Sequence, residues 1–346
     1  MGKAVEHPGE PSLTLPPLLI YDGVIWHTMN IRCLRKLEAH VAEKVLRYRA
    51  YGKVNLGLEI LRLRSDGYHE VLTVLQTVSL ADDLAFEPAR SLSVVPDHPV
   101  VPRDGRNLVI RAGRALQRRF GIRKGARVTI RKRLAVGGGM GGGSSDAACA
   151  LVGLSSLWSL NPDREELERI ASGLGSDVPF FLRGGTCLGK GRGEVLESLP
   201  GLPACFLAIA LPGYGVSTAW AYKNLEMRAG GLTNPGECIK MIVSFLEAGE
   251  VQGVARSLYN RLEEAVFPAY PGLAGLKESL VCCGAMGALL SGSGSAVFGL
   301  FAEEVRGQDL GSRLEAPARP GSLRLEVVRP TGRGWEGIKE KPGSAS

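Results

Sequence analysis

Residues 135–150 read Ala-Val-Gly-Gly-Gly-Met-Gly-Gly-Gly-Ser-Ser-Asp-Ala-Ala-Cys-Ala, with six glycines in seven positions just ahead of two serines. Glycine has no Cβ, so this backbone can take positive φ and approach a ligand closely, and successive N–H groups can converge on one anion. Beyond Ser144 the character changes: Ala147, Leu151, Leu154 and Trp158 recur at helical spacing, and Asn161-Pro162 ends the run. The pattern predicts a helix starting near Ser144 or Ser145. Its free N–H groups and positive dipole end point back into the glycines, where a phosphate would be held. The serines either cap the helix or turn a hydroxyl toward phosphate or Mg²⁺. A flexible linker shares this composition, but linkers are not framed by a strand-like Arg127-Val-Thr-Ile130 and an apolar-faced helix.

Two familiar glycine motifs are excluded. Gly137-x-Gly139-x-x-Gly142 has the dinucleotide spacing, which needs a following strand ending in an acidic residue about 20 positions on. Here Asn161-Pro-Asp-Arg-Glu-Glu-Leu-Glu-Arg-Ile170 reads as another capped helix. Gly184-Gly-Thr-Cys-Leu-Gly-Lys190 has P-loop spacing, but Gly191 stands where the magnesium-binding Ser or Thr belongs, and no helix follows.

At 346 residues the default is two domains. The net charge of +7 favours anionic partners, a nucleotide as well as a nucleic acid, and no aromatic-interleaved basic patch of the single-strand binders is present. Nucleic acid and membrane are therefore not expected as partners, since no apolar run approaches the ~20 residues of a membrane span. Seven cysteines, without a Cys-x-x-Cys and mostly inside apolar runs, suggest reduced thiols in a cytoplasmic protein, with Cys282-Cys283 expected to be buried.

In chain order, residues 1–44 form an irregular, proline-bearing leader without a secretory or transit signature. They are expected to be dispensable, a translation-start artefact or tail, with Arg35 to Arg49 as a basic, poorly amphipathic helix. From Val45 to Ile60 the alternation predicts a strand on which Lys53 and Asn55 share a side. Arg64-Ser-Asp-Gly-Tyr-His-Glu70 is a turn presenting Tyr68 beside His69. Val71 to Ala81 is a second strand, with Asp82-Asp83 read as a turn and residues 88–106 as a proline-rich loop. Asn107 caps a helix over 107–119. Asp177 stands between a turn and an apolar segment. A strand over 204–211, helices to about residue 281, the turn Ser291-Gly-Ser-Gly-Ser295 joining two apolar runs and a strand near 323–328 follow. The remainder, 331–346, is expected to be a disordered polar tail.

Gly52-Lys-Val-Asn-Leu56, Asp66-Gly-Tyr-His-Glu70, residues 132–145, Gly175-Ser-Asp-Val-Pro179 and Ser291-Gly-Ser-Gly294, taken in this order over about residues 46 to 330, resemble the GHMP kinase superfamily. The resemblance implies an α+β, two-domain fold. Residues 45–200 would be an ATP-binding domain of the ribosomal protein S5 domain 2 type, and 201–330 a ferredoxin-like C-terminal domain, with the site in the cleft. The implied activity is transfer of the ATP γ-phosphoryl group to the 2-hydroxyl of 4-diphosphocytidyl-2-C-methyl-D-erythritol, in the non-mevalonate route to isoprenoid precursors. Asp177 then matches the general base and Lys53 the lysine that holds it ionised and stabilises charge. Val136, Gly137, Gly138, Gly139, Met140, Gly141, Gly142, Gly143, Ser144 and Ser145 match the phosphate cradle, and Asn107, Leu108 and Lys132 the adenine pocket. Tyr68 and His69 match the residues that recognise cytosine, Tyr222 a second aromatic that sandwiches it, and Asn55 a substrate contact. Mg²⁺ is expected with ATP, without an evident acidic ligand, and the protein is expected to be a monomer or homodimer.

Three positions depart from the family pattern: Ala135 where proline is common, Gly52 where alanine is common, and Asp146 where Asn is also found. Asp146 suits a helix start but puts negative charge near a triphosphate. A GHMP kinase acting on homoserine, mevalonate or a sugar is the nearest rival, against which Tyr68, His69 and Tyr222 argue. A non-catalytic nucleotide or nucleic-acid binding module is the rival from another class.

Overall fold

The computed structural model describes residues 20–21, 24–25, 45–225, 236–314 and 323–338. Within the leader, the short strands β1 (Ile20–Tyr21) and β2 (Val24–Ile25) pair antiparallel. The other leader residues lie outside the described ones. Val45–Ser346 is a compact unit by itself.

That unit begins with two long antiparallel strands, β3 (Leu46–Leu63) and β4 (His69–Ala89). β3 is buried without interruption from Ala50 to Ile60, so apolar side chains pack on both of its faces. β4 is flanked by β6 (Gly125–Arg131), which in turn pairs with β5 (Ser93–Pro96), and by a hairpin of β7 (Thr186–Lys190) and β8 (Val195–Ser198). On one face lie α1 (Leu108–Phe120), α2 (Gly142–Trp158), α3 (Arg164–Leu174) and α4 (Val178–Arg183). Asn107 caps α1 as expected, its Oδ1 accepting from the Val109 N–H, and Asp163 caps α3 through the Glu166 N–H. Leu84, Phe86, Val128 and Ile130 of the sheet bury against Ala147, Leu151 and Leu154 of α2 and Phe180 and Phe181 of α4. Truncating any one of these leucines to alanine costs about 2–5 kcal/mol.

The opposite face of the sheet, through Val54, Leu56, Val74 and Val78, packs on Leu207, Ile209 and Phe298 of a second, four-stranded sheet. This sheet comprises β9 (Phe206–Leu211), β11 (Gly287–Leu290), β12 (Val297–Phe301) and β13 (Arg324–Val328), all pairs antiparallel, in the order β11-β12-β9-β13. Helices α5 (Thr218–Lys223), α6 (Glu237–Ala248), α7 (Val251–Arg256), α8 (Glu263–Ala269), α9 (Pro271–Cys282) and α10 (Gly307–Gly311) complete the second half. The α+β class and the two packed halves agree with the sequence reading.

Several elements correct it. Asp82 and Asp83 do not turn the chain but continue β4, and Asp82 is fully buried. The loop expected over 88–106 holds the end of β4 and the whole of β5. Leu46 to Arg49 belong to β3, not to a helix. Cys282 is exposed and Cys283 half-buried at the end of α9, where the last turn projects outward. The supposed disordered tail contains a strand, β14 (Trp335–Ile338), which pairs antiparallel with β3 from Ala50 to Arg47. β10 (Tyr259–Asn260) also joins β3, in parallel, so the boundary drawn at residue 200 does not divide the sheets cleanly. Residues 339–346 lie outside the described ones.

Candidate active site

The glycine loop alternates left-handed and ordinary backbone: φ is 71° at Gly137, 75° at Gly139 and 70° at Gly141. A Cβ on Gly139 would lie 2.0 Å from the Ser291 carbonyl oxygen. The loop is pinned from two sides. Ser291 Oγ donates to the Gly139 carbonyl at 3.1 Å, the Ala296 N–H to Gly138 at 3.1 Å, and the Lys53 N–H to Met140 at 3.0 Å. α2 starts at Gly142, two residues earlier than expected, with Gly141 as its cap and no side-chain capping bond. Its first-turn N–H groups therefore stay free for an anion. Neither serine caps: Ser145 Oγ donates to the Tyr51 carbonyl at 2.6 Å, a buried link between α2 and β3.

β3 changes register at Tyr51/Gly52 and again at Asn55/Gly57. Such bulges re-aim side chains, and these two bracket Lys53 and Asn55. Lys53 Nζ donates to Asn55 Oδ1 at 2.6 Å, Asn55 Nδ2 to Thr73 Oγ1 at 2.9 Å, and Thr73 to the Gly57 carbonyl at 2.7 Å. Burial lowers the Lys53 pKa, against the opposing pull of the Asp177 carboxylate. Asp177 precedes α4, makes no capping hydrogen bond and so stays available to the cavity, while Phe180 and Phe181 anchor the helix behind it.

Under the loop lies a buried cluster that the sequence reading missed. Lys132 Nζ donates to Asp82 Oδ2 at 2.5 Å and to Asp146 Oδ2 at 2.8 Å, with only 4% of the lysine side chain exposed. Asp82 Oδ1 also accepts the N–H groups of Arg133 at 2.6 Å and Leu134 at 2.8 Å, fixing the path of the chain into the loop. Burial works against the Lys132 charge, but the two carboxylates outweigh it and its pKa is raised. Burial, with Asp82 repelling it, pushes Asp146 up to about 7. Its Oδ1 is buried without a hydrogen-bond partner. The signal for Asp82 was present: it holds the inward place in Leu80-x-Asp82-x-Leu84-x-Phe86, where a strand otherwise carries apolar residues.

At the turn between β3 and β4, the His69 and Tyr222 rings lie 5.1 Å apart with a tilt of 37°. Burial, with the Asp177 charge adding, pushes the Tyr222 hydroxyl up to about 12. Tyr68 stands 55% exposed.

Every site residue proposed from the sequence lines one cavity of about 1320 Å³, with the exception of Ser145. Pockets for one small ligand measure roughly 300–1,000 Å³, and this cavity is larger. Asn107 and Leu108 line it at the start of α1, although the Asn107 side chain is committed to Val109 and Pro102. Lys132 lines it too, but as a cation already shared between carboxylates rather than a free donor.

The fold and the cleft place the chain in the class of GHMP kinases. Residues 107–185 match the family described as GHMP kinases N terminal domain, and 242–319 match GHMP kinases C terminal. A 4-diphosphocytidyl-2-C-methyl-D-erythritol kinase of Gloeobacter violaceus is 46% identical over 260 residues, 74% of this chain and 86% of that one. The protein of the same name from Listeria monocytogenes is 39% identical over 287 residues, 82% of this chain and 96% of its own. A crystal structure of 4-(cytidine 5'-diphospho)-2C-methyl-D-erythritol kinase superposes with a TM-score of 0.66 at 34% identity, covering 82% of this chain and 99% of that one. A homoserine kinase from Cytophaga hutchinsonii gives a TM-score of 0.70 at 19% identity, covering 86% and 98%, a likeness of fold alone. The chain belongs to the 4-diphosphocytidyl-2-C-methyl-D-erythritol kinase family of GHMP kinases.

Proposed function

We propose that this protein transfers the γ-phosphoryl group of ATP to the 2-hydroxyl of 4-diphosphocytidyl-2-C-methyl-D-erythritol, a step of the non-mevalonate route to isoprenoid precursors. The observation that carries this reading is that Asp177 lines one cavity together with Lys53, the glycine loop, His69 and Tyr222. Lys53 adjoins the cradle, its Cε 3.4 Å from where a Cβ of Gly141 would stand, and Tyr222 adjoins His69. A carboxylate that shares its cavity with a glycine cradle and an aromatic pair supports a base acting on an acceptor held beside a triphosphate.

In this reading the N–H groups of the loop and of the first turn of α2 hold the triphosphate, and Asn107, Leu108 and Val136 flank the adenine. Tyr68, His69 and Tyr222 take the cytosine, and Asn55 touches the acceptor. A base stacked on an aromatic ring contributes about 1–3 kcal/mol. Asp177 takes the proton from the acceptor hydroxyl while Lys53 keeps the carboxylate ionised and offsets charge on the transferring group; phosphoryl transfer asks for little beyond such positioning. Mg²⁺, bound with the nucleotide, would supply further neutralisation of the phosphates. Among the described residues no group of three His, Cys, Asp or Glu forms a metal cage, and the Ser144 hydroxyl is the cradle side-chain oxygen open to the ion. The expected setting is the cytoplasm, as a monomer or homodimer without nucleic acid; among the described residues the cysteines are free thiols.

The test is ADP release in a coupled assay with the diphosphocytidyl substrate beside homoserine, mevalonate and galactose. Turnover with the first alone is expected. No ATP consumption, or preference for another acceptor, overturns the assignment.

A further inference from the structure

The substrate turn is gripped by a second turn that the reaction scheme leaves unused. β7 and β8 are joined through Gly191-Arg192-Gly193-Glu194, where φ is 73° at Gly191 and 104° at Gly193. The Gly191 carbonyl accepts the Val71 N–H at 2.7 Å, so this turn is tied to β4 two residues past His69. Arg192 is oriented by Glu194, which accepts its backbone N–H at 2.6 Å and its Nε at 3.4 Å. So held, the guanidinium carbon lies 4.9 Å from the centre of the Tyr68 ring. The backbone is held as well: Asp66 accepts the Tyr68 N–H at 3.1 Å and pairs with Arg64, again at 3.1 Å, and the Tyr68 carbonyl accepts the Arg64 N–H at 2.7 Å. One Arg–carboxylate pair therefore fixes the backbone of this tyrosine and the other lies over its ring.

A guanidinium over one face leaves the other face of the ring for a ligand, and both Tyr68 and Arg192 line the cavity. An exposed aromatic on a turn otherwise samples several rotamers, and ordering it on binding costs affinity. We infer that Arg192 is a positioning residue for the pyrimidine base: it clamps Tyr68 by a cation–π contact and presents the ring as a ready-made stacking platform. Arg192 acts through Tyr68 and has no part in the proton or phosphoryl transfer. The inference rests on the cytidine-bearing substrate proposed above.

The experiment measures kcat and KM for the diphosphocytidyl substrate, KM for ATP, and inhibition constants of cytidine and of cytidine diphosphate, in the full chain and in Arg192→Ala, Arg192→Lys, Tyr68→Ala and the Arg192→Ala/Tyr68→Ala double variant. A contact of this kind corresponds to a change of roughly two- to fivefold. Arg192→Ala is expected to raise the diphosphocytidyl KM by that factor and to weaken cytidine and cytidine diphosphate equally, with kcat and the ATP KM unchanged. Arg192→Lys restores part of the loss, and in the Tyr68→Ala background removing Arg192 changes nothing further. Loss confined to cytidine diphosphate would show that Arg192 reads phosphate instead and would overturn the inference, as would additive effects of the two substitutions. If Arg192→Ala does not fold, Arg192→Lys against Tyr68→Ala carries the same comparison, and an unchanged cytidine constant in Arg192→Lys together with additivity at Tyr68 counts against the clamp. A parent enzyme inactive on the diphosphocytidyl substrate sinks the functional reading itself; an active parent with an indifferent Arg192 sinks the clamp alone.

Discussion

Lys132 Nζ lies 2.8 Å from Asp146 Oδ2 at the start of the helix that ends the glycine loop, and it shares its charge with Asp82 on its other side. With two carboxylates and one ammonium buried together, the negative charge exceeds the positive, and Asp146 titrates near 7 for that reason as well as for burial. Cys149, one turn along and buried, is pushed well above its ordinary value by burial and by the same carboxylates, so it stays a neutral thiol.

This has a pH signature. An aspartate titrates near 3.9 in the unfolded chain. Between about 4 and 7 the folded protein therefore binds more protons than the unfolded one, and stability falls as pH rises through that window. Asp146→Asn removes the titration. Its melting temperature is expected to gain on that of the parent from pH 5 to pH 8, by roughly 2–4 °C for each kcal/mol relieved. Thermal melts at several pH values check this; a gap that stays constant with pH refutes it.

Asp177→Asn is expected to lower kcat by roughly 10²-fold or more with a smaller change in KM, since a general base contributes about 10²–10⁴. Lys53→Met is expected to lose turnover to a similar degree. The substitution also leaves the buried Asn55 Oδ1 without its donor and Asp177 without its counter-charge, so the melting temperature is expected to fall as well. Steady-state kinetics beside melts separate the two effects, and near-parental turnover in either variant would remove that residue from the mechanism.

Gly139→Ala meets both a left-handed backbone and the Ser291 carbonyl 2.0 Å from the new methyl. A left-handed non-glycine residue alone costs about 1–2 kcal/mol. The variant is expected to melt several degrees lower and to show at least a roughly tenfold higher ATP KM, because a displaced loop loses its aim at the phosphates. Gly143→Ala, in the first turn of the helix with its nearest neighbour 4.0 Å away, is expected to keep the parental melting temperature. Equal melting losses at both positions would show that the Ser291 contact does not matter.

Deleting residues 1–40 is expected to leave a soluble enzyme with parental turnover, because Val45–Ser346 forms its own compact unit. Ending the chain at residue 330 is expected to abolish both, because it removes β14 and the Gly334 carbonyl that accepts the Tyr51 N–H at 3.0 Å. Expression of the two truncations and ADP release settle the matter; an inactive first or an active second truncation contradicts it.

What could be read from the sequence was what is local. Asn107 was legible as a cap because capping involves a residue and its next few neighbours, and the cradle because six glycines before a helix leave few alternatives. Asp82 was misread because adjacent aspartates usually turn a chain, and its partner Lys132 is 50 residues away. β14 was misread because a polar strand takes its conformation from the strand it joins, which no local pattern announces. The reading of Ser145 as a phosphate ligand was undone in the same way, by the carbonyl of Tyr51, 94 residues distant.

Tyr51 and Glu336, joined by a 2.7 Å hydrogen bond, are separated by 285 residues of chain. On the ribosome, β3 must wait for nearly the whole polypeptide before its neighbour β14 has been made. The sheet thus cannot be completed strand by strand as synthesis proceeds.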